Sequence, residues 1–502
     1  MNAAPNGNGQ DKLRWWVLLT VIIGTFLGRL DQTIVNLALP KIIDDFAITV
    51  SQAGWIATAY ILANAVFVPI WGKLGDTIGR KKVYVIGFTI FILGSILAGF
   101  AWNLPSLLAF RVIQAIASSA DYPTAMAIVA ITFRTPRERA QALGLWSTSF
   151  AAASVFGPLI GGPLIDTFGW RSIFLINLPV GLIGLFMALV FIEESVSERP
   201  THKFDWWGAL TLGVMLSALV LVLDKGMDWG WTSTESLTAY LTVIVFGYMF
   251  YRIDSTHPEP IVDFKFFQNG AFVHTLINNF IVFMGMMGGV FLLPIFAQTF
   301  LGYNATQTGY LFMPMAFGMV IASPFGASLT GKVNPKYVIA VSTFMAGVGM
   351  YLFTGLDIRS TALDIMLPLV VMSMSLGFGM AQRTNVIASV VPPEEMGVAS
   401  STLALARNIA GAFGIAVFAT ILNQSTENNI LSIAKNTVIN HPNPTVYKEA
   451  AALIILKSQI ESYHTVFIIA SAVLLIGSVL AFAINAPEKK DAGHTAVSVD
   501  HG

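Results

Sequence analysis

Two carboxylates lie deep inside apolar stretches of the 502-residue sequence, Asp31 and Asp121. Within a bilayer an ionised carboxylate costs roughly 2.5–3.5 kcal/mol on insertion scales unless it is paired, hydrated or protonated. Arg29, Arg111 and Arg407 also lie in apolar stretches and supply the opposite charge. These residue types in these surroundings are suited either to a buried ion pair or to the uptake and release of a proton.

A polar stripe recurs at helical spacing through the segment that contains Asp121. Its members are Arg111, Gln114, Ser118 and Asp121, at i, i+3, i+7 and i+10, so a helix places them largely on one face. Such a face is expected to point into the protein and not at lipid. Counted at 1.5 Å per residue from the outer helix ends, Asp31 and Arg111 lie at similar depths of roughly 13 and 10 Å, and Asp121 about 15 Å deeper than Arg111. Asp31 and Arg111 are therefore expected to pair or to alternate.

The role of each acid is open between two interpretations. Asp31 forms a structural ion pair with Arg111, or less favourably with Arg29 on nearly the opposite helix face, or it loads and releases a proton as the protein changes shape. Asp121 is an auxiliary proton or cation site, or a member of a local structural pair near the cytoplasmic end.

The composition indicates an all-α integral membrane protein. The chain is 55% hydrophobic and 11% charged, with a mean hydropathy of +0.70, whereas soluble domains carry about 25% charged residues. Its net charge of +0 gives no indication of nucleic-acid binding, and the lack of cysteine excludes disulfides, thiolate metal sites and cysteine nucleophiles. No nucleophile with a base and no H-E-x-x-H pattern is found, so we predict no catalytic, metal or cofactor-binding residue and no enzyme activity.

Fourteen apolar segments are each long enough to cross a hydrocarbon core of about 30 Å. We predict spans at 15–40, 52–72, 82–101, 104–132, 140–163, 171–192, 205–223, 237–254, 271–299, 305–329, 338–355, 362–384, 396–423 and 462–485. An even number of spans places both termini on one side, and the lysine and arginine bias of the short loops identifies that side as the cytoplasm.

The spans fall into two six-helix bundles separated by two inserted helices. We predict a cytoplasmic tail at 1–14, the N-terminal bundle at 15–192, the inserted helices at 205–254, the C-terminal bundle at 271–485 and a disordered cytoplasmic tail at 487–502. A long outside loop covers 424–461, and its part 448–461 is either an amphipathic surface helix or irregular. Repeated bundles with a central site are a common transporter architecture.

A charged, glycine-rich turn follows the second span. Gly72, Gly75 and Gly79 permit a tight turn, and Asp76 precedes Arg80 by four residues, within reach of a local ion pair. An acid here can also face the positive end of a neighbouring helix. The segment resembles the G-x-L-x-D-x-x-G-R-[KR] signature of the major facilitator superfamily.

Three further stretches resemble the fourteen-helix drug:proton antiporters of that superfamily, and within them the EmrB/QacA group. Residues 30–40 are similar to the motif L-D-x-T-[IV]-V-N-x-A-L-P, and residues 170–181 to the opening of the sixth helix. Gly157-Pro158-x-x-Gly161-Gly162 resembles the antiporter motif of the fifth helix, although Ala153 replaces a further glycine. Physically, the glycines clear a groove for a neighbouring helix and Pro158 can bend its own helix.

The resemblance implies a multi-pass protein of the cytoplasmic membrane that exports lipophilic small molecules in exchange for protons, powered by the proton gradient and without a bound cofactor. Protons from outside would protonate Asp31, weaken its pairing with Arg111 and favour substrate release. The glycine–proline motif would then be a flexing point, although a static packing role stays open. Further alternatives are an exporter of a lipid or a specific metabolite, a proton symporter, or a non-transporting receptor.

The partners implied are the substrate, protons and the lipid bilayer, together with a periplasmic adaptor on the 424–461 loop if the source is a two-membrane bacterium. Polar positions within spans either line a substrate cavity or form interhelical hydrogen bonds worth about 0.6 kcal/mol each. The candidates are Asn36, Tyr60, Asn64, Gln114, Ser118, Asn278 and Arg407. Substrate charge is undecided, because the carboxylates favour cations whereas the arginines, including Arg383, favour anions.

Overall fold

The computed structural model describes residues 7–133, 136–195, 205–258, 260–329, 332–391, 396–436 and 444–485. Within those residues the chain is helical and contains no strand, which confirms the predicted fold class. The helices are α1 (Gly7–Phe46), α2 (Val50–Ile78), α3 (Arg80–Gly99), α4 (Leu104–Ser118), α5 (Asp121–Thr132), α6 (Pro136–Phe168), α7 (Ser172–Leu175), α8 (Asn177–Phe191), α9 (Trp206–Trp229), α10 (Thr234–Asp254), α11 (Gly270–Phe300), α12 (Ala305–Ser328), α13 (Pro335–Leu352), α14 (Ala362–Val390), α15 (Met396–Asn436) and α16 (Pro444–Leu480).

Each of the fourteen predicted spans corresponds to a helix or to two consecutive helices. The fourth span is divided into α4 and α5, and the sixth into α7 and α8. In both cases a proline follows the break, Pro123 in α5 and Pro179 in α8, and cannot donate a backbone hydrogen bond to the carbonyl four residues earlier. Eleven helical stretches among the described residues are long and apolar enough to cross a membrane.

Several helices extend beyond the apolar segments that predicted them. α1 begins at Gly7, so most of the predicted N-terminal tail is helical. The predicted loop at 424–461 is also wrong in form, because α15 continues to Asn436 and α16 already begins at Pro444. Their 41 and 37 residues correspond to roughly 60 and 55 Å, well beyond a hydrocarbon core of about 30 Å. The predicted disordered tail at 487–502 lies outside the described residues.

The extensions of α15 and α16 pack on each other as an antiparallel pair. The Asn429 side chain donates to Ser462 Oγ at 3.1 Å and to the Ser458 carbonyl at 3.5 Å. This explains why 448–461 is neither a separate surface helix nor irregular. A partner helix satisfies its polar face, and the chain continues without a break into the apolar span.

Helices α1–α8 pack together as one bundle and α11–α16 as another. The inserted pair α9–α10 packs against α2 of the first bundle and α15 of the second. Apolar side chains of all four helices meet in one buried cluster that includes Leu62, Leu216, Phe250 and Ala412. The bundles face each other through α2 with α15, α6 with α12, and α1 with α11.

Candidate functional site

Asp31 lies at the centre of a buried polar network inside the N-terminal bundle. Its Oδ2 accepts from Arg111 Nη1 at 2.5 Å, and the two side chains are 2% exposed or less. Its Oδ1 accepts from Gln114 Nε2 at 2.8 Å and from Asn177 Nδ2 at 2.9 Å. Asp31 is therefore an acceptor for donors from two other helices, α4 and α8. The expected pairing with Arg111 is present, and its role in proton coupling stays a prediction.

The network continues through Ser95 on α3. Ser95 Oγ accepts from Gln114 Nε2 at 2.6 Å and from Asn177 Nδ2 at 3.1 Å. The backbones of α3 and α4 approach closely at Gly94, where an added Cβ would lie 3.1 Å from Gln114 Cα. The lack of a side chain at Gly94 thus permits Ser95 and Gln114 to meet.

Aromatic rings enclose the Arg111 guanidinium. Its Cζ lies 4.1 Å from the ring centre of Tyr60 on α2 and 5.6 Å from that of Phe174 on α7. A cation over an aromatic face contributes about 2 kcal/mol when desolvated. The rings exclude water from the ion pair, so the Asp31–Arg111 attraction acts in a low-dielectric environment.

Asp121 has a separate environment in the same bundle. Its Oδ2 accepts from Thr25 Oγ1 at 2.7 Å, and Thr25 Oγ1 in turn accepts from Trp146 Nε1 at 2.8 Å. In the described part of the chain Asp121 makes no ion pair, and its Oδ1 is buried without a hydrogen-bond partner. The predicted polar stripe is thus interrupted, because Asp121 is the first residue of α5. Its side chain contacts α1 at a different position from the one that Asp31 occupies.

The glycine–proline motif lies where two different helices approach α6. An added Cβ at Gly157 would collide with Thr33 of α1, and one at Gly162 with the Thr306 backbone of α12. The groove predicted from the small residues is therefore present, and it receives α1 on one side and the opposite bundle on the other. Gly161 also packs against α1, and the Pro158 carbonyl is next to Gly309 of α12.

Hydrogen bonds join the two bundles at the predicted outer side. Asp166, at the end of α6, accepts from the backbone amides of Ala305 at 3.2 Å and Thr306 at 2.9 Å, and from Thr306 Oγ1 at 2.7 Å. Gln298 of α11 donates to the Leu37 carbonyl of α1 at 2.9 Å. Together with the Gly162–Thr306 contact, these bonds close the outer side in this conformation.

The turn between α2 and α3 is as tight as its glycines predict. Gly79 has φ +113°, a region that L side chains rarely adopt, and it alone separates the two helices. The acid at the N-terminus of α3 is Glu194, which accepts from the backbone amides of Lys81 at 3.1 Å and Lys82 at 3.2 Å. The side chain of Asp76 lies outside the described part of the chain, whereas the Arg80 amide donates to the Ser195 carbonyl at 3.0 Å.

The Trp-Arg pair before α7 fixes the outer end of α1. Trp170 Nε1 donates to Asp45 Oδ2 at 3.0 Å, and Arg171 Nη1 donates to the same oxygen at 2.9 Å. This ion pair is about half exposed, with side-chain exposures of 41% and 46%. It is a surface contact, and such contacts contribute about 0–1 kcal/mol.

The seven cavity candidates divide into two groups. Tyr60, Gln114 and Asn278 are at most 1% exposed and bond within one bundle, so in this conformation they belong to buried networks. Asn36, Asn64, Ser118 and Arg407 are partly exposed, and their role as cavity residues stays a prediction. Ser118 Oγ accepts from Tyr60 and Asn64.

The C-terminal bundle has a buried cation of its own. Arg383 is 2% exposed, and its Nε donates to Asn278 Oδ1 at 2.8 Å and its Nη2 to Thr343 Oγ1 at 3.1 Å. The sequence placed Arg383 near a helix end. The structure shows that it organises the bundle interior through neutral acceptors.

Five residues of these networks were absent from the predicted site. Asn177 lies in the stretch Trp170–Gly181 that resembles the opening of the sixth helix. Its amide side chain within an apolar span is a sequence signal for a functional site. Ser95, Thr25, Trp146 and Asp166 carry no distinctive spacing, so only packing reveals them.

Comparisons with known proteins agree with this architecture. The family model for the Major Facilitator Superfamily matches residues 21–415. The chain is 33% identical to the multidrug transporter protein MdtP of Bacillus subtilis over 84% of this chain and 77% of that protein. It is 30% identical to the riboflavin transporter RibZ of Clostridioides difficile over 83% of this chain and 90% of that protein. The crystal structure of a bacterial homologue of the human lysosomal transporter Spinster, inward-facing and unoccupied, has the same fold with a TM-score of 0.66 at 17% identity, over 96% and 99% of the two chains.

Proposed function

The chain belongs to the major facilitator superfamily and is a membrane transporter, and on that basis we propose that it exports lipophilic small molecules across the cytoplasmic membrane in exchange for protons. The observation that carries this proposal is the ion pair of Asp31 with Arg111, almost fully buried in an apolar bundle. A buried carboxylate among hydrogen-bond donors is the type of group that transporters use to carry protons. The multidrug transporter MdtP as a relative supports the substrate class.

Protonation of Asp31 would supply the energy for the conformational change. It removes the negative charge that neutralises Arg111, and breaking a buried pair by removing one partner costs roughly 3–5 kcal/mol. That energy corresponds to a shift of about a hundred- to several thousand-fold in an equilibrium between two conformations. A single proton at Asp31 is therefore sufficient to change which side of the protein is open.

The outer contacts are those that must separate when the substrate leaves. In the proposed cycle, the Asp166 bonds to α12 and the Gly162–Thr306 contact break as the bundles rock apart. The link to Asp31 runs along α6 and α1, because Gly157 and Gly161 pack against Thr33 and Ile34 on α1, within one turn of Asp31. A rearrangement around Asp31 would thus be transmitted to the outer contacts through packed helices.

We propose that the charged groups between the bundles set the preference for substrate charge. Arg29 on α1 and Arg407 on α15 come from different bundles and are close enough to repel each other electrostatically. A substrate with an acidic group or several hydrogen-bond acceptors would relieve that repulsion. We therefore propose a preference for lipophilic molecules with such groups over quaternary cations.

A second candidate is the export of one specific metabolite. The 30% identity to the riboflavin transporter RibZ over most of both chains favours it, because a relative at this distance has a defined metabolite in its name. Both candidates use the same coupling site and differ in the breadth of substrates.

The experiment uses purified protein in proteoliposomes with an imposed pH gradient. The proposal predicts that anionic and neutral lipophilic dyes accumulate in the more acidic compartment and that a proton ionophore abolishes accumulation. Movement of substrate in the same direction as protons would establish symport. Saturable binding without flux under any gradient would establish a receptor, and flux of riboflavin alone would establish the second candidate.

A further inference from the structure

Asp31 and Asp121 differ in how completely their oxygens are satisfied. Both oxygens of Asp31 accept hydrogen bonds, three in all. Asp121 accepts one, from Thr25 to Oδ2, and its buried Oδ1 has no partner among the described residues. An ionised carboxylate with a bare oxygen away from water is costly, whereas the neutral acid is much less so. The unsatisfied oxygen therefore favours a proton on Asp121.

Trp146 determines which group of Thr25 meets Asp121. Trp146 Nε1 can only donate, so it occupies one lone pair of Thr25 Oγ1, and the Thr25 hydroxyl proton is available to Asp121 Oδ2. Because Oδ2 already accepts this bond and Oδ1 has no donor, Oδ1 is the favoured position for a proton.

A small cavity lies beside Asp121. It has a volume of about 20 Å³ and is lined by Asp121 and Ser118, by Tyr84, and by the glycines Gly24, Gly28 and Gly87. A cavity holds one water when its volume exceeds about 10–15 Å³ and polar groups are present. Asp121, Ser118 and the Tyr84 hydroxyl supply those groups. The cavity is therefore suited to one water beside the Asp121 side chain.

Ser118 connects the cavity to the Asp31 network. Tyr60 Oη donates to Ser118 Oγ at 2.6 Å, and the Tyr60 ring lies under the Arg111 guanidinium that pairs with Asp31. The two acids are thus linked through Arg111, Tyr60 and Ser118. These contacts supply a route by which a charge change at one acid reaches the other.

The other titratable groups around Asp121 are few. Arg29 on α1 attracts it electrostatically, Tyr84 on α3 lines the same cavity, and Tyr122 follows it on α5. Trp146 on α6 reaches it only through Thr25 and does not titrate. Arg29 is the positive charge among these groups, and its Nη1 donates to Gln32 Oε1 at 3.0 Å.

We propose that Asp121 and the adjoining cavity form a second proton-binding site, in which Oδ1 carries the proton, the cavity holds one water, and Ser118 and Tyr60 link the site to Asp31. This assigns two proton-carrying carboxyls to the N-terminal bundle. The role of this second site in coupling rests on the proposed antiport, but the binding of a proton to Asp121 does not.

The first test is infrared difference spectroscopy on protein reconstituted in lipid at neutral pH. The proposal predicts a protonated-carboxyl carbonyl band that shifts in D₂O, disappears in Asp121→Asn and persists in Asp31→Asn. Absence of the band from the wild-type protein, or its persistence in Asp121→Asn, would overturn the proposal. This measurement is valid even if the protein transports nothing.

The second test addresses the cavity. Gly28 lines the cavity, and an added Cβ there meets no atom within 4 Å, so Gly28→Ala adds a methyl at the edge of the cavity without a clash. We expect the Asp121 band to remain and its exchange with D₂O to slow at least several-fold, because the methyl narrows access to the cavity. Unchanged exchange would contradict a role for the cavity.

The third test measures stoichiometry by comparing proton and substrate fluxes in proteoliposomes. If both acids are coupled, Asp121→Asn lowers the proton-to-substrate ratio by one and leaves transport active. An unchanged ratio would show that Asp121 is not part of the coupling, whatever its protonation state. If neither the wild type nor this variant couples protons to substrate, the antiport proposal fails and the infrared result stands alone.

Discussion

The carboxylate of Asp166 caps the first turn of α12 through Thr306, across the interface between the two bundles. It accepts from the Thr306 amide at 2.9 Å and from the Thr306 hydroxyl at 2.7 Å. An acid at a helix N-terminus satisfies unpaired amides and is favoured by the helix dipole. Here the acid and the helix belong to different bundles, so the cap stabilises only the conformation in which the outer side is closed.

Removal of this cap should shift the protein toward an outward-open conformation. Loss of a helix cap costs about 0.5–2 kcal/mol, which corresponds to a shift of roughly 2- to 30-fold. We expect Asp166→Ala to lengthen the distance between spin labels at Thr167→Cys and Gln307→Cys, introduced into a chain that has no cysteine of its own. Asp357→Asn, an exposed acid on another outer loop, is the control and should leave the distance unchanged. Equal distances in Asp166→Ala and the wild type would show that the cap does not hold the outer side closed.

Gly162→Ala should prevent outer closure more completely. A methyl there would collide with the Thr306 backbone, which cannot move away as a flexible side chain could. The variant is expected to fold, to show the long outer distance with the same labels and to lose transport. Gly355→Ala adds a methyl into open space and is the matched control. Normal transport by Gly162→Ala would mean that the bundles need not approach at this point.

Asn177 should stabilise the bundle chiefly through Asp31. A hydrogen bond to a charged group contributes about 1.5–3 kcal/mol, so Asn177→Ala should lower the thermal unfolding midpoint of the detergent-solubilised protein. In an Asp31→Asn background the same substitution should cost less, because the charge-assisted part is already lost. A double-mutant cycle measures the difference. Additive effects would show that the Asn177–Asp31 bond is energetically unimportant.

Arg407 should affect substrates according to their charge. It lies partly exposed on α15, with its guanidinium 5.5 Å from the Phe283 ring, and is repelled by Arg29. We expect Arg407→Gln to reduce efflux of anionic dyes several-fold and to change efflux of cationic dyes little. Arg359→Gln, on an exposed loop, is the control. An equal loss for both dye classes would instead indicate a structural role for Arg407.

The architecture could be predicted from hydropathy because each span is a long apolar run. Helix extents could not, since hydropathy marks only the lipid-embedded part. α1 therefore begins earlier than predicted, and α15 and α16 extend into the predicted loop. Pro123 is a sequence signal for the break between α4 and α5, because proline lacks the backbone donor that a continuous helix needs there.

The Asp31–Arg111 pair could be predicted from the sequence, because the depth of each residue in the membrane follows from its distance in residues to the outer end of its helix. Ser95 and Asn177 were not, because their approach depends on the packing of α3 and α8. Asp166 resembled an ordinary charge at a helix end. Its significance arises only when the second bundle places α12 beside it, which no local pattern indicates.

Proton movement driven by substrate in proteoliposomes containing Asp31→Asn tests directly whether Asp31 couples protons to export. Asp44→Asn is the matched control, with the same charge change on an exposed position of the same helix. If Asp31 couples protons to export, substrate addition produces a proton counterflux in the wild type and in Asp44→Asn. In Asp31→Asn the counterflux is strongly reduced, although substrate still exchanges. A wild-type counterflux in Asp31→Asn would show that Asp31 does not couple protons to export.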